Sequence, residues 1–266
     1  MNLASLIKPG IDLFVSVIKK NKDVLKYVFS VPLKQEVTDY IENQYFQGYV
    51  HIEKSIALAK KLKLEGTTIL DVGGAVGNTA KLFAKNFPKN RILVFEPIKE
   101  TYEKLKDATS AFPNITPVNK AVGNMTGSTK INQANRITSS SILDIKAESN
   151  SAVFSDTLIK KGEETIEITT LDSTVPGDAR VGILKIDVQG YELEVLKGAT
   201  NTLSRTAVVV LELNNHEGYQ NAPKYYDLDE YLRKSNFIIY DIFPSLKDNG
   251  QLKEWDAIYV KNELIR

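Results

Sequence analysis

The sequence contains no cysteine and only two histidines, His51 and His216, among its 266 residues. The absence of cysteine excludes disulfide bonds, thiolate nucleophiles and zinc sites built on cysteine. The two histidines are far apart in the chain and form no paired metal-binding motif. No charge dominates either, because 34 basic residues oppose 33 acidic ones, for a net charge of +1. This balance argues against nucleic acid or an anionic membrane as the main partner.

Long uninterrupted hydrophobic runs are also missing. The most apolar segment, residues 1–32, is interrupted by charged residues and a proline, so it is too broken to span a bilayer and lacks the features of a signal peptide. Apolar residues between Leu6 and Ile18 recur at roughly helical spacing. We expect a helix that packs on the domain or on a second copy in a homodimer, with peripheral membrane contact as the alternative. The expected location is cytoplasmic.

Strand and helix patterns alternate from residue 67 onward. Helical periodicity separates the apolar strand-like runs, which lie at 67–74, 91–97, 115–122, 181–188, 207–214, 236–243 and 256–262. The helical segments are 77–87, 98–112, 189–203 and 226–235. Such alternation predicts an α/β fold with a mostly parallel sheet and helices on both faces.

The alternation stops between residues 123 and 180, where the sequence is rich in Gly, Ser, Thr and Asn. We interpret residues 123–165 as an insertion between the third and fourth sheet strands, with short strands at 128–134 and 165–171. Long connections of this kind are usually functional or disordered, and the position after a strand end favours a substrate cover. The predicted organisation is therefore an N-terminal helical extension, residues 1–48, followed by one domain, residues 49–266.

The first chemical motif is ILDVGGAVGN, residues 69–78, in which a strand runs into Gly73, Gly74 and Gly77 before a helix. Glycines permit a tight turn and close approach of a ligand, and the helix start offers free amides. Asp71 precedes the turn, where it would face a pyrophosphate unfavourably but would suit a ligand with a cationic amino-acid end. A turn that binds no ligand is the plain alternative.

The second motif is FEP, residues 95–97, where Glu96 ends the next strand. A carboxylate at this place can accept two hydrogen bonds from a ribose diol, although it could also cap a helix.

Together the two motifs resemble the S-adenosylmethionine site of a Rossmann-like methyltransferase. A third motif, KIDVQGYELEVLKGA at residues 185–199, resembles the signature of the FkbM family of S-adenosylmethionine-dependent methyltransferases. The preceding TTLD (169–172) and the following VLELNNH (210–216) match the order of blocks in that family. The resemblance extends from about Tyr49 to Val260.

The resemblance implies a class I methyltransferase fold, with strand order 3-2-1-4-5-7-6 and a reversed seventh strand. It also implies methyl transfer to oxygen, on sugars, glycans or other small hydroxylated metabolites. The cofactor residues that it implies are Asp71, Gly73, Gly74, Gly77, Asn78, Glu96, Pro97, Ala121 and Asp187. The chain departs from the family at Gly73-Gly74-Ala75, where the family commonly has Gly-Ala-Asn, so a polar contact at position 75 is missing.

Catalysis is expected at the carboxyl ends of the fourth and fifth sheet strands. Asp187 should face the methyl-transfer region, with Lys185 on the same side of the strand. A sugar hydroxyl has a high pKa, so a general base or a metal would help. The candidates are Asp187, Glu212 and His216, and a divalent metal could use Asp187, Glu212 and Asn214 as in catechol-type methyltransferases. Glu194 is assigned to the helix dipole, and Glu192 to the substrate or the loop.

Two alternatives remain open. A nicotinamide-dependent oxidoreductase would need a G-x-G-x-x-G spacing, which Gly73-x-x-x-Gly77 does not provide. A binding module that keeps the cofactor pocket without turnover would bind the cofactor but methylate no acceptor.

Overall fold

The computed structural model describes residues 47–135, 137–146, 158–215, 218–248 and 251–265. The helix predicted between Leu6 and Ile18 lies outside these ranges, as does His216. The proposed boundary between residues 48 and 49 stays a prediction.

The described chain alternates between strands and helices. The strands are β1 (Thr68–Val72), β2 (Arg91–Phe95), β3 (Ile115–Val118), β4 (Ala121–Val122), β5 (Gly127–Ala134), β6 (Lys160–Thr169), β7 (Val181–Ile186), β8 (Thr206–Asn214), β9 (Phe237–Asp248) and β10 (Gln251–Lys261). The α-helices are α1 (Gln47–Lys61), α2 (Asn78–Asn86), α3 (Lys99–Thr109), α4 (Leu171–Thr174), α5 (Glu192–Lys197), α6 (Thr200–Ser204) and α7 (Tyr225–Lys234). Short 3₁₀ turns occur at Ile137–Ser139 and Asn262–Leu264.

Seven strands form one sheet in the order β3-β2-β1-β7-β8-β10-β9. The first five are parallel to their neighbours, whereas β10 lies antiparallel between β8 and β9. The order reverses between β1 and β7, which is the switch point where ligands bind in open α/β sheets. The α/β fold class and the reversed strand predicted from the sequence are confirmed.

Apolar side chains cover both faces of this sheet. Leu184 and Ile186 of β7 belong to the cluster that packs against α5 and α7, whereas Ile183 belongs to the cluster that packs against α1 and α2. This division follows from the two-residue period of a strand. The polar residues Asp71, Lys185 and Glu212 alternate with apolar neighbours, so they belong to the same face as Ile183.

Two predicted elements are divided in the structure. The run 115–122 leaves the main sheet after Val118, because Asn119 donates hydrogen bonds to the carbonyls of Glu96 and Pro97. The segment 189–203 becomes α5 and α6, and no helix begins before Glu192 since Gln189 and Gly190 have positive φ angles of 58° and 96°.

The described part of the insertion forms a second sheet in the order β4-β6-β5. The strands predicted at 128–134 and 165–171 are present at Gly127–Ala134 and Lys160–Thr169. The second strand starts earlier than predicted and ends before α4, whose N-cap is Thr170. This sheet brings residues 138–142 over the carboxyl ends of the main strands.

Candidate active site

The glycine turn after β1 packs directly against the end of β7. Gly73 has a φ of 79°, and a Cβ built on it would lie 1.8 Å from the backbone oxygen of Asp187. The amides of Gly73 and Gly74 both donate to the carbonyl of Phe95, at 3.1 and 3.0 Å. Only glycine therefore fits at position 73, where the ends of β1, β2 and β7 meet.

A pocket of about 690 Å³, part of it open to solvent, begins at this turn. The pocket is lined by strand-end residues and by side chains of the insertion: Val72, Gly73, Ala75, Phe95, Glu96, Pro97, Ile98, Lys120, Ala121, Val122, Ile131, Thr138, Ser140, Ser141, Ile142, Asp187, Val188, Gln189 and Tyr191.

Glu96 lines this pocket and is only 6% exposed. Its Oε1 accepts a hydrogen bond from the amide of Ile98 at 2.9 Å. Burial raises the pKa of Glu96 to about 7, even though hydrogen bonds from backbone amides and the charge of Lys185 oppose the shift. The buried carboxyl is therefore positioned to accept hydrogen bonds from a ligand inside the pocket.

Asp71 lies beneath the glycine turn and is not one of the pocket-lining residues. Its side chain is fully buried, and burial raises its pKa, with Lys185 opposing the shift. Lys185 Nζ is 3.4 Å from Asp71 Oδ1, 3.3 Å from Asp187 Oδ2 and 3.1 Å from the carbonyl oxygen of Gly73. Lys185 thus joins the turn to the end of β7, and Asp71 acts on the pocket through this ammonium group.

Burial alone would lower the pKa of Lys185, but the carboxylates of Asp187 and Asp71 raise it above its usual value. The ammonium group therefore stays charged and neutralises part of the negative charge at the switch point.

Asp187 lines the pocket at the end of β7, and its side chain is 39% exposed. Gln189 Nε2 donates to Asp187 Oδ1 and to Glu212 Oε2, at 3.0 Å in each case. Burial raises the pKa of Glu212 well above its usual range, and the charges of Glu254 and Asp187 add to the shift. The structure thus brings two of the three predicted catalytic residues together through a glutamine.

Glu192 holds the loop between β7 and α5. Its Oε1 accepts from the amides of Val188 and Gly190, at 3.0 and 3.1 Å, and the residue is fully buried. Burial raises its pKa to about 7. Of the two roles proposed from the sequence for Glu192, the structure favours fixing the loop.

Glu194 lies in the first turn of α5, as expected of an acid that interacts with the helix dipole, and is paired with Lys197 at 2.7 Å.

His51 belongs to the same edge of the sheet, a position that the sequence did not suggest. Its Nδ1 lies 3.2 Å from Asp256 Oδ2, an ion-pair distance. Burial lowers the pKa of His51 to about 4 and raises that of Asp256 to about 7, so the imidazole is uncharged at neutral pH. Asp256 lies opposite Glu212 in the ladder between β10 and β8. A contact across about 200 residues leaves no local signal in the sequence.

The predicted cofactor residues fall into two groups. Gly73, Glu96, Pro97, Ala121 and Asp187 line the pocket. Asp71, Gly74, Gly77 and Asn78 do not line it but build the turn and the start of α2. The sequence predicted that the insertion covers the substrate but did not identify Thr138, Ser140, Ser141 and Ile142 individually, because no repeated spacing marks them.

Among the described residues, no cluster of three or more His, Asp or Glu side chains has the arrangement of a metal site. Asn214 Oδ1, the third member of the proposed magnesium set, is buried without a hydrogen-bond partner.

The strand order and the pocket at its switch point match the Rossmann-like class I methyltransferase fold that the family resemblance implied. The sequence matches the methyltransferase FkbM domain over residues 71–239. The chain belongs to this family, so the predicted resemblance is confirmed, and S-adenosylmethionine is the family's cofactor.

Named relatives and solved structures show more distant similarity. The chain is 26% identical over 158 residues to the hexuronic acid methyltransferase AglP of Haloferax volcanii, covering 56% of this chain and 57% of the relative. It is 24% identical over 155 residues to methyltransferase sdnD of Sordaria araneosa, covering 49% and 59%. The chain thus spans less than two thirds of either relative. Magnesium protoporphyrin IX methyltransferase of Synechocystis PCC 6803 has a TM-score of 0.43, with 12% identity, and the similarity covers 87% of this chain and 86% of that one.

Proposed function

We propose that the protein is an S-adenosylmethionine-dependent O-methyltransferase that acts on a hydroxyl of a sugar, a glycan or another small metabolite. The observation that carries this proposal is one pocket lined by two carboxyl groups from different strand ends. Glu96 and Asp187 both line it, with the Gly73 turn between them at the switch point of the sheet.

Different residues of this pocket would contact the ribose, the adenine and the methionine part of the cofactor. Glu96 would accept hydrogen bonds from the ribose hydroxyls, as strand-end acids do in related folds. The apolar side chains of Ile98 and Val122 line the pocket beside Ala121, where the adenine would lie. Gly73 lets the backbone approach the methionine part closely. When bound, the cofactor supplies an electrophilic methyl group on a sulfonium.

Asp187 is the group that we place nearest to the acceptor hydroxyl. Methyl transfer to oxygen releases one proton, and a carboxylate on the pocket wall can receive it. Lys185 Nζ lies 3.3 Å from Asp187 Oδ2, so this ion pair helps to hold the carboxyl group in place on the pocket wall. The rest of the rate enhancement would come from holding the two reactants in line.

The insertion would cover the acceptor. Thr138, Ser140 and Ser141 line the pocket, and their hydroxyls suit a polyhydroxylated ligand. The printed name of the Haloferax volcanii relative, a hexuronic acid methyltransferase, also points toward sugars as acceptors.

We propose residues 1–48 as a helical extension and residues 49–266 as the catalytic domain. No helix in the described ranges has the length and apolar character of a membrane span. The extension is proposed to mediate homodimer contact or peripheral membrane contact, and the proposed location is the cytoplasm.

Calorimetry with S-adenosylhomocysteine, followed by mass spectrometry on a panel of neutral sugars, uronic acids and phenols, would test the proposal. We expect micromolar or tighter cofactor binding and a mass gain of one methyl group on a hydroxylated acceptor. Cofactor binding without transfer to any acceptor would instead identify a binding module. Failure to bind the cofactor would contradict the proposal outright.

A further inference from the structure

We infer that Gln189 is a positioning residue, whose side-chain amide holds Asp187 and Glu212 as a pair at the acceptor end of the pocket. This inference rests on the proposed function for its catalytic consequence. The pairing itself is measurable without turnover.

Nearly every donor and acceptor site of the Gln189 side chain takes part in a hydrogen bond. Nε2 donates to Asp187 Oδ1 and Glu212 Oε2, each at 3.0 Å, and an amide nitrogen has two hydrogens to donate. Oε1 lies 3.0 Å from the Tyr219 hydroxyl, which also contacts the carbonyl of Ser139 at 2.9 Å. Tyr219 is itself buried, so the amide cannot rotate without losing these contacts.

The backbone of Gln189 is fixed as well. Its φ of 58° is in the left-handed region, which is uncommon for a residue other than glycine. Ser141 of the insertion donates to the carbonyl of Gln189 at 2.7 Å, and Glu192 accepts from the amides of Val188 and Gly190 on either side. This restraint places the side chain between two strand ends that are neighbours in the sheet.

The two carboxyl groups repel each other whenever both are ionised, and this amide bridges them. Because both lie 3.0 Å from one nitrogen, their bonded oxygens are within about 6 Å of each other, where a like charge raises the pKa of its neighbour. The charged and titratable groups around the pair come from five other elements or loops: Lys185, His51, Glu192, Tyr219, Glu254 and Asp256. Among these groups only Lys185 is a cation at neutral pH. The side-chain amide of Gln189 is uncharged and has two hydrogens to donate, so it can bind Asp187 and Glu212 at the same time.

The catalytic consequence concerns the proton of the acceptor. In the proposed reaction the S–CH₃ bond breaks, the O–CH₃ bond forms and the hydroxyl proton passes to Asp187. Gln189 holds both carboxyl groups in place and fixes the direction in which Asp187 presents its other oxygen. A displacement of about 1 Å in such a site can reduce a rate on the order of 100-fold.

Gln189→Met keeps the length of the side chain and removes its polar atoms, so it is the main test. We expect kcat to fall between about 10- and 100-fold, with little change in the affinity for S-adenosylhomocysteine. Gln133→Met is the matched control, since Gln133 Nε2 also donates to a carboxylate, Glu164 at 2.8 Å, but the residue does not line the pocket. An unchanged kcat in folded Gln189→Met, or an equal loss in Gln133→Met, would overturn the inference.

Gln189→Glu should give a pH dependence of activity that replacement of a purely structural residue would not give. When ionised, this side chain adds a negative charge beside Asp187 and Glu212, but when protonated it regains one donor. The activity of the variant relative to wild type should therefore increase as the pH falls from 8 to 6. A ratio independent of pH would contradict the role as a donor.

The pairing can also be tested without an acceptor. Crystal structures should show Asp187 Oδ1 and Glu212 Oε2, which both lie 3.0 Å from Gln189 Nε2 in wild type, farther apart in Gln189→Met and unmoved in Gln133→Met. If the carboxyl groups separate but wild type methylates nothing, the pairing holds and the proposed function fails. If wild type is active and the carboxyl groups do not separate, the function stands and this inference fails.

Discussion

Replacing Glu96 by glutamine should stabilise the free protein and weaken cofactor binding at the same time. Gln keeps an oxygen that can accept from the amide of Ile98, which is the contact of Oε1 at 2.9 Å. It removes the charge that burial disfavours. A gain in folding stability together with a loss of cofactor affinity would show that Glu96 serves binding and not folding.

The magnitude follows from the shift in pKa. Burial raises the pKa of Glu96 from 4.5 to about 7 in the folded chain. A raised carboxyl pKa means that stability is fully present below pH 4.5 and is lost as the pH rises through about 7. At 1.36 kcal/mol per unit, the loss by pH 8 is about 3 kcal/mol. Chemical denaturation should therefore find Glu96→Gln more stable than wild type by up to about 3 kcal/mol at pH 8, and almost equal at pH 4.

Cofactor affinity should change in the other direction. The ribose hydroxyls donate hydrogen bonds, so they favour the ionised carboxylate. With a pKa of about 7, calorimetry on wild type should show binding of S-adenosylhomocysteine weakened about tenfold at pH 6 relative to pH 8. Glu96→Gln should bind more weakly by about 1–3 kcal/mol at pH 8 and lose most of this dependence. A variant that is neither more stable nor weaker in binding at pH 8 would refute the reasoning.

Three other predictions test the remaining parts of the site. Asp187→Asn should reduce turnover by about 100-fold or more while leaving cofactor affinity and melting temperature nearly unchanged; a chelator that inactivates wild type would indicate a metal ligand instead of a base. Gly73→Ala should abolish cofactor binding in calorimetry, because its Cβ would lie 1.8 Å from the Asp187 carbonyl oxygen. Cofactor and acceptor together should slow proteolysis within residues 123–165, and identical cleavage patterns would argue against a cover.

The strand ends could be predicted from the sequence because their signal is local. Apolar runs followed by an acid or a glycine give both the position of the strand and the direction of its last side chain. Glu96 and Asp187 were therefore expected at the pocket, and they line it. The order of the strands came from the family resemblance, since alternation alone predicts a parallel sheet without its permutation.

The remaining features depend on contacts that no local pattern records. Gln189 reaches Glu212 because its backbone adopts a φ of 58°, which the sequence around it does not require. His51 meets Asp256 because α1 starts near the carboxyl edge of the sheet, far along the chain from β10. Asp71 follows the expected motif, yet its side chain lies under the turn because its ion pair with Lys185 holds it there.

A perturbed pKa does not by itself identify the functional groups at this edge. Burial raises the pKa of Glu96 and that of Glu192 to about 7 alike. Glu192 is fully buried and its Oε1 binds two backbone amides of one loop, whereas Glu96 lines the pocket. The same cost of burial therefore accompanies a structural role in Glu192 and, in the proposed function, a ligand contact in Glu96. Removing Glu192 would leave the amides of Val188 and Gly190 without acceptors, and the loop that carries Gln189 would lose its fixed conformation. The proposed catalysis at Asp187 would thus depend on a buried acid that does not line the pocket.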